Sequence, residues 1–210
     1  RKMASKNAVS CMPFVLSELM FDYKEQTTLF SLKSARVLAA HRHIREDLEK
    51  MTIAQVMCEI ADKLLEQGES DLEAASEVYE LLSVSLNRLD SETDGYLILA
   101  QFTALALKTE GIEPVVDECV LCSNTQVQTI SVEDGGFLCA ECAAMMHARP
   151  MEIGVLKRFR LINKAQLVHF DKLRPYGPWT KKDAELLVEF LMLHSGLKLE
   201  SWRFLNRLSN

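Results

Sequence analysis

No apolar run in this chain approaches the ~20 residues that a membrane-crossing helix needs. No basic-then-apolar signal segment is seen either. Also missing are a glycine-rich phosphate loop, a GxSxG nucleophile turn and an HExxH pair. Those absences remove the commonest signatures of nucleotide-binding, serine-hydrolase and zinc-peptidase sites. There is no internal repeat and no low-complexity tract. Cysteine is sparse, with six in 210 residues, while 48% of the chain is hydrophobic. Disulfide frameworks belong to short, core-poor domains, and this chain can bury a sizeable core, in one domain or two small ones. A reducing, cytosolic compartment is therefore expected.

Four of the six cysteines fall into two CxxC pairs, Cys119/Cys122 and Cys139/Cys142, within ECVLCSNTQVQTISVEDGGFLCAEC (118–142); Cys11 and Cys58 stand alone. The spacing C-x2-C-x16-C-x2-C is that of a four-cysteine zinc site. Two residues between thiols let one tight turn aim both sulfurs at a point, and two such turns make a tetrahedron of soft thiolates. The intervening segment reads as a hairpin. Val127, Thr129 and Ile130 favour a strand, Asp134-Gly135 a turn, and Phe137-Leu138 the return. A redox CxxC needs only one pair, near a βαβ unit. An iron–sulfur cluster could use four thiolates, and ordinary buried cysteines are a further reading. Four cysteines close a zinc shell and leave no position for water, so the expected metal is structural. His147, five residues beyond Cys142, could substitute, but an exposed or capping role suits it better. The remaining histidines carry no visible acid partner; His41 and His43 are expected at the surface, and no catalytic residue is assigned.

Net charge is −6, which argues weakly against nucleic acid. Its distribution is uneven. Residues 1–142 hold 12 Lys/Arg against 24 Asp/Glu, a net −12, whereas residues 143–210 hold 12 against 6, a net +6. Separate acidic and basic faces are one expectation, plain solvated helix surfaces the other. Candidate phosphate contacts are Arg1, Lys2 and Lys6 in RKMASK, and Lys157, Arg158 and Arg160 in KRFR. Such cations can neutralise phosphates with salt-sensitive affinity, or receive an acidic peptide tail.

Two β-like segments, 13–23 and 27–38, come first, and a hairpin alone is marginally stable. Helical periodicity follows over 39–51, 52–68 (capped by Thr52, ended by Gly68), 71–89 and 95–111. The 95–111 segment, apolar almost all round, is expected at the centre of a bundle and stopped by Gly111 and Pro114. Helices over 151–162 and 165–173, a break at 174–178, and a helix over 179–196 capped by Thr180 with Asp183 complete the pattern. The expected fold is mainly α: a helical domain (39–210) with a zinc-binding insert at 118–143, preceded by a partial β segment (1–38).

At this point the chain resembles the bacterial RecO family of DNA repair and recombination mediators, over essentially its whole length. GIEP (111–114) at a helix end, CVLC, then GGFLCAEC carry the most specific part. MPFVLSELMF followed by a strand and SARVL resembles the end of that family's N-terminal OB-fold, with RKMASK as the loop feeding it. The resemblance implies that 1–38 holds only the last strands of the barrel, and that the first strands lie outside this chain. It implies a non-enzymatic, cytoplasmic and nucleoid-associated protein. Such a protein binds single- and double-stranded DNA and anneals complementary strands. It engages the acidic C-terminal tail of the single-stranded-DNA-binding protein and, with RecR, helps load RecA. It implies Zn2+ at Cys119, Cys122, Cys139 and Cys142, and DNA contacts at Arg1, Lys2 and Lys6. Where the family often carries a Ser-Arg pair, this chain has Ser201, Trp202 and then Arg203. Two alternatives stand beside it: a zinc-stapled scaffold that binds acidic tails without DNA, and a zinc or thiol enzyme.

Overall fold

The computed structural model describes residues 8–67 and 72–208. Two strands, β1 (Leu16–Asp22) and β2 (Ser31–Ala39), form an antiparallel hairpin pairing Leu16 with Ala39 and Asp22 with Ser31. Most of both strands is exposed, and Phe21 and Tyr23 stack on Phe30 rather than entering a core. The helices follow: α1 (Arg42–Glu46), α2 (Leu48–Gln67), α3 (Leu72–Ser91) and α4 (Gly95–Thr109). A second antiparallel hairpin, β3 (Val127–Ser131) and β4 (Gly136–Cys139), leads into α5 (Ala140–Met145). Then come α6 (Ile153–Lys164), α7 (Phe170–Leu173), α8 (Lys181–Ser195) and α9 (Glu200–Leu208).

The architecture is mainly helical, with α4 at its centre. Of the eleven positions from Leu97 to Leu107 all but Leu105 are buried, as expected for a helix apolar on every side. It packs against α2, α3, α6 and α8, and α9 closes over α2. The end of α4 is a Schellman motif. Gly111 is left-handed (φ 67°), its N–H donates to Lys108 O (3.0 Å), and Ile112 N–H donates to Leu107 O (3.0 Å).

Several expectations shift. The 39–51 helix divides, because Asp47 is extended between α1 and α2. The Asp47 carboxylate accepts the Lys50 N–H (3.0 Å), so Asp47 caps α2 in place of Thr52. Thr52 is buried inside the helix, its hydroxyl donating to Leu48 O (2.7 Å). The 165–173 segment is a 3-10 turn followed by the short α7. Gly68 lies outside the described residues. His41, expected at the surface, is buried and left-handed (φ 40°). Its Nδ1–H donates to Phe14 O (2.6 Å), and its Nε2 meets Asn87 Oδ1 (2.9 Å). The side chain therefore ties the turn leading into the first hairpin to α3, a tie that no local pattern announces.

Candidate metal centre and nucleic-acid surface

The cysteine site is assembled from two turns held together by backbone bonds. In the first, Ser123 is left-handed (φ 57°) and its N–H donates to Cys119 O (2.8 Å). Cys119 N–H donates to Asn124 O (2.8 Å), which closes the loop around the first thiol pair. Val120 N–H then donates to Phe137 O (2.8 Å), fastening this turn to β4. The second pair needs no such loop: Cys139 ends β4 and Cys142 lies in the first turn of α5.

The register of β4 is set by a close approach. Gly136 lies beside Val115, and an added Cβ would stand 2.3 Å from Val115 O and 2.8 Å from its N. That proximity permits two bonds, Val115 N–H to Gly135 O (3.0 Å) and Phe137 N–H to Val115 O (2.9 Å). The segment after α4 is thereby stitched to the hairpin carrying the second cysteine pair. In the sequence, Gly136 reads only as part of the turn; its role as a backbone contact depends on Val115, twenty-one positions away.

All four Sγ atoms lie within 4.8 Å of one another. Cys122 Sγ is 3.6 Å from Cys139 Sγ. Four sulfurs at about 2.3 Å from one ion, at tetrahedral angles, stand about 3.8 Å apart. The constellation can thus close on a single metal ion with small adjustments, and its four soft donors suit a thiophilic one. Cys119, Cys139 and Cys142 are buried, while Cys122 is exposed.

The thiols do not share one acidity. Burial raises Cys119, but hydrogen bonds from the backbone of Cys139, Leu121 and Cys122 and from the Cys122 thiol outweigh it and bring it down to about 6. For Cys122 the Asn124 backbone lowers it, yet the Cys139 and Cys119 sulfurs leave it raised. Cys142 is driven up strongly, first by the Cys122 sulfur and then by burial. Four crowded sulfurs cannot all ionise side by side without a cation among them, and a divalent ion supplies that charge. His147 is exposed and left-handed (φ 54°), outside this cluster.

The basic residues of α6 do not act as one. Arg158 turns inward, its Nε donating to Asp183 Oδ1 (2.7 Å) in a largely buried ion pair. Asp183 serves two structures, because its Oδ2 also accepts the N–H and hydroxyl of Thr180 in the α8 capping box (both 2.8 Å). Arg160 and Lys164 share Asp117, at 2.7 and 2.6 Å. Lys157 is exposed and, with Arg149, Lys172 and Lys182, forms no ion pair among the described residues. Arg1, Lys2 and Lys6 lie outside the described residues. Trp202 is 3% exposed and belongs to the core beneath α9, so it presents nothing to a ligand. No helix among the described residues is long and apolar enough to cross a membrane.

Comparison with known proteins gives this geometry a family. The family described as "Recombination protein O C terminal" matches residues 45–203. The "DNA repair protein RecO" of Bacillus pumilus is 27% identical over 216 residues, covering 100% of this chain and 80% of the relative. That of an Exiguobacterium species is 28% identical over 216 residues, covering 99% and 81%. That of a Thermoanaerobacter species is 22% identical over 213 residues, covering 100% and 84%.

Proposed function

Because the chain belongs to the RecO family, we propose that it binds DNA without sequence preference and anneals complementary single strands. In this reading it acts with RecR to help load RecA on DNA coated by single-stranded-DNA-binding protein, whose acidic C-terminal tail it engages. The family is one of DNA repair and recombination mediators rather than of catalysts. The observation that carries the proposal is the family match over 45–203, joined by relatives aligned across nearly the whole chain.

The metal is Zn2+, held by Cys119, Cys122, Cys139 and Cys142. Its role is structural: four thiolates leave no site for water, and the ion would tie the turn carrying Cys119 and Cys122 to the end of β4 and the start of α5. The exposed first hairpin fits the last strands of an OB barrel over 1–38, with the helical domain over 39–210. Phosphate contacts fall to Arg1, Lys2, Lys6 and the α6 cations. Among the latter, Lys157 is the best placed, Arg160 is available through exchange of its exposed pair with Asp117, and Arg158 acts by holding α6 to α8. A cytoplasmic, nucleoid-associated location follows from this role.

The test is binding of a labelled single strand across a salt series, followed by annealing of its complement. Affinity should fall linearly with log salt, and annealing should exceed the spontaneous rate. Binding that ignores salt, or no acceleration of annealing by a protein that does bind, would refute the proposal.

A further inference from the structure

The four sulfurs are chemically alike but not equally reachable, and that asymmetry has a consequence for oxidation. Cys119, Cys139 and Cys142 are buried, whereas Cys122 is exposed and stands 3.6 Å from Cys139 Sγ. We propose that Cys122 is a peroxide-sensitive modification site, and that its oxidation joins it to Cys139 and releases the metal. The inference rests on the structural-metal reading above.

The chemistry is complete with a hydroperoxide as oxidant. A metal-bound sulfur stays deprotonated and is the nucleophilic form. Cys122 Sγ attacks one peroxide oxygen; the S–O bond forms, the O–O bond breaks, and the leaving hydroxide takes a proton to become water. Cys122 is now a sulfenic acid. The neighbouring Cys139 thiolate attacks the Cys122 sulfur; an S–S bond forms, the S–O bond breaks, and a second hydroxide leaves as water. Two thiolates, one hydrogen peroxide and two protons give one disulfide and two waters. The sulfur pair loses the two electrons that the peroxide gains. Two of the four donors are spent, and Cys119 and Cys142 alone cannot hold a structural ion in a closed tetrahedron.

Position makes Cys122 the entry point. It sits on the outer side of the first turn, between exposed Leu121 and exposed Ser123. Cys142 and Cys119 are shielded by the second hairpin and α5, whose Leu138 and Ala143 pack with them. Cys11 is also exposed but has no sulfur partner, so it supplies an internal control for unselective oxidation.

The experiment uses the zinc-loaded chain treated with hydrogen peroxide in slight excess, followed by a chromogenic zinc chelator and by peptide mapping. Release of the ion should accompany loss of two thiols, and the first disulfide should map to Cys122–Cys139. Cys122→His, which keeps a tetrahedral three-cysteine, one-histidine set, should still load zinc but release it at least about tenfold more slowly. Equal release from Cys122→His and the parent, a first disulfide elsewhere, or oxidation at Cys11 with zinc retained would each overturn the proposal. Purified protein that never binds zinc stoichiometrically would instead defeat the metal reading beneath it.

Discussion

Gly136→Ala tests the geometry on which the cysteine site depends. The new methyl carbon would stand 2.3 Å from Val115 O and 2.8 Å from Val115 N, both backbone atoms that no side-chain rotation can clear. Relief requires β4 and the 115 segment to separate. That breaks the Val115–Gly135 and Phe137–Val115 bonds, now 3.0 and 2.9 Å. Two backbone hydrogen bonds are worth about 1 kcal/mol each, and forcing a carbon into a filled space adds about 1–3 kcal/mol. The expected loss is about 3–5 kcal/mol, which for a chain of this size lowers Tm by about 10 °C or more. Phe137 O also anchors the first cysteine turn through Val120 N–H (2.8 Å), so zinc retention against a competing chelator should fall in parallel. The measurement is thermal melting in excess zinc, beside Gly154→Ala as the matched control. Gly154 lies in the first turn of α6, where a Cβ meets only Arg158 Nη1 at 3.5 Å. That variant should stay within about 1 kcal/mol of the parent. If Gly136→Ala melts within the same margin, the close approach is not holding the hairpin and the account is wrong.

Cys119→Ser should weaken zinc affinity more than the 10–100-fold typical of losing an outer-sphere partner, because a ligand itself is gone; metal analysis after dialysis checks it, and full retention would contradict a four-thiolate site. Arg158→Ala strands the buried Asp183 carboxylate and should cost about 3–5 kcal/mol in denaturant melts. Lys157→Ala should leave melting within about 0.5 kcal/mol, yet weaken DNA binding and lower the salt slope by about 1. The Glu59 carboxylate accepts the Glu200 and Ser201 N–H groups at the start of α9 (3.0 and 2.9 Å). Burial raises its pKa, but the Ser201 and Glu200 bonds prevail and hold it below the ordinary range. Its contribution is therefore complete above the unfolded carboxyl's pKa and disappears as pH falls through the lower folded value. Glu59→Gln should flatten the acid limb of a stability-versus-pH curve between those two points, and an unchanged acid limb would remove the carboxylate from that role.

Features whose partners are close in the chain were legible. The cysteine spacing, the Thr180–Asp183 box, the Gly111 stop and the hairpin between 127 and 138 each involve neighbouring residues, and the structure forms the local feature in every case. Features whose partners arrive from elsewhere were not. Thr52 is a plausible cap by type, but Asp47 lies earlier and has a carboxylate free to accept. His41 looks like a surface residue until the turn before β1 brings it Phe14 and α3 brings it Asn87. Arg158 reads as a phosphate ligand within KRFR until α8 delivers Asp183. A polar residue in sequence carries no label saying whether its partner is water, a ligand or another helix.

The uneven charge shows the same limit at the scale of the whole chain, and also what it is for. An acidic first part and a basic last part suggest two faces that repel their own kind. In the fold, much of that charge meets across the division. Asp117 from the acidic part binds Arg160 and Lys164 from the basic part, at 2.7 and 2.6 Å. Glu92 and Asp94 bind Arg174, at 3.3 and 3.1 Å. These pairs are exposed and each adds little stability. They place opposite charges where these surfaces meet, which favours this docking over ones that set like charges together. The +6 of the last segment is therefore not a measure of the field offered to DNA. What remains for phosphate in this segment is the subset without an internal acid partner among the described residues: Arg149, Lys157, Lys172, Lys182, Lys198 and Arg207, with Lys181 turned to the Leu205 and Asn206 carbonyls. A nucleic-acid surface on this segment draws first on those cations, with Arg160 and Lys164 joining only when a phosphate displaces Asp117.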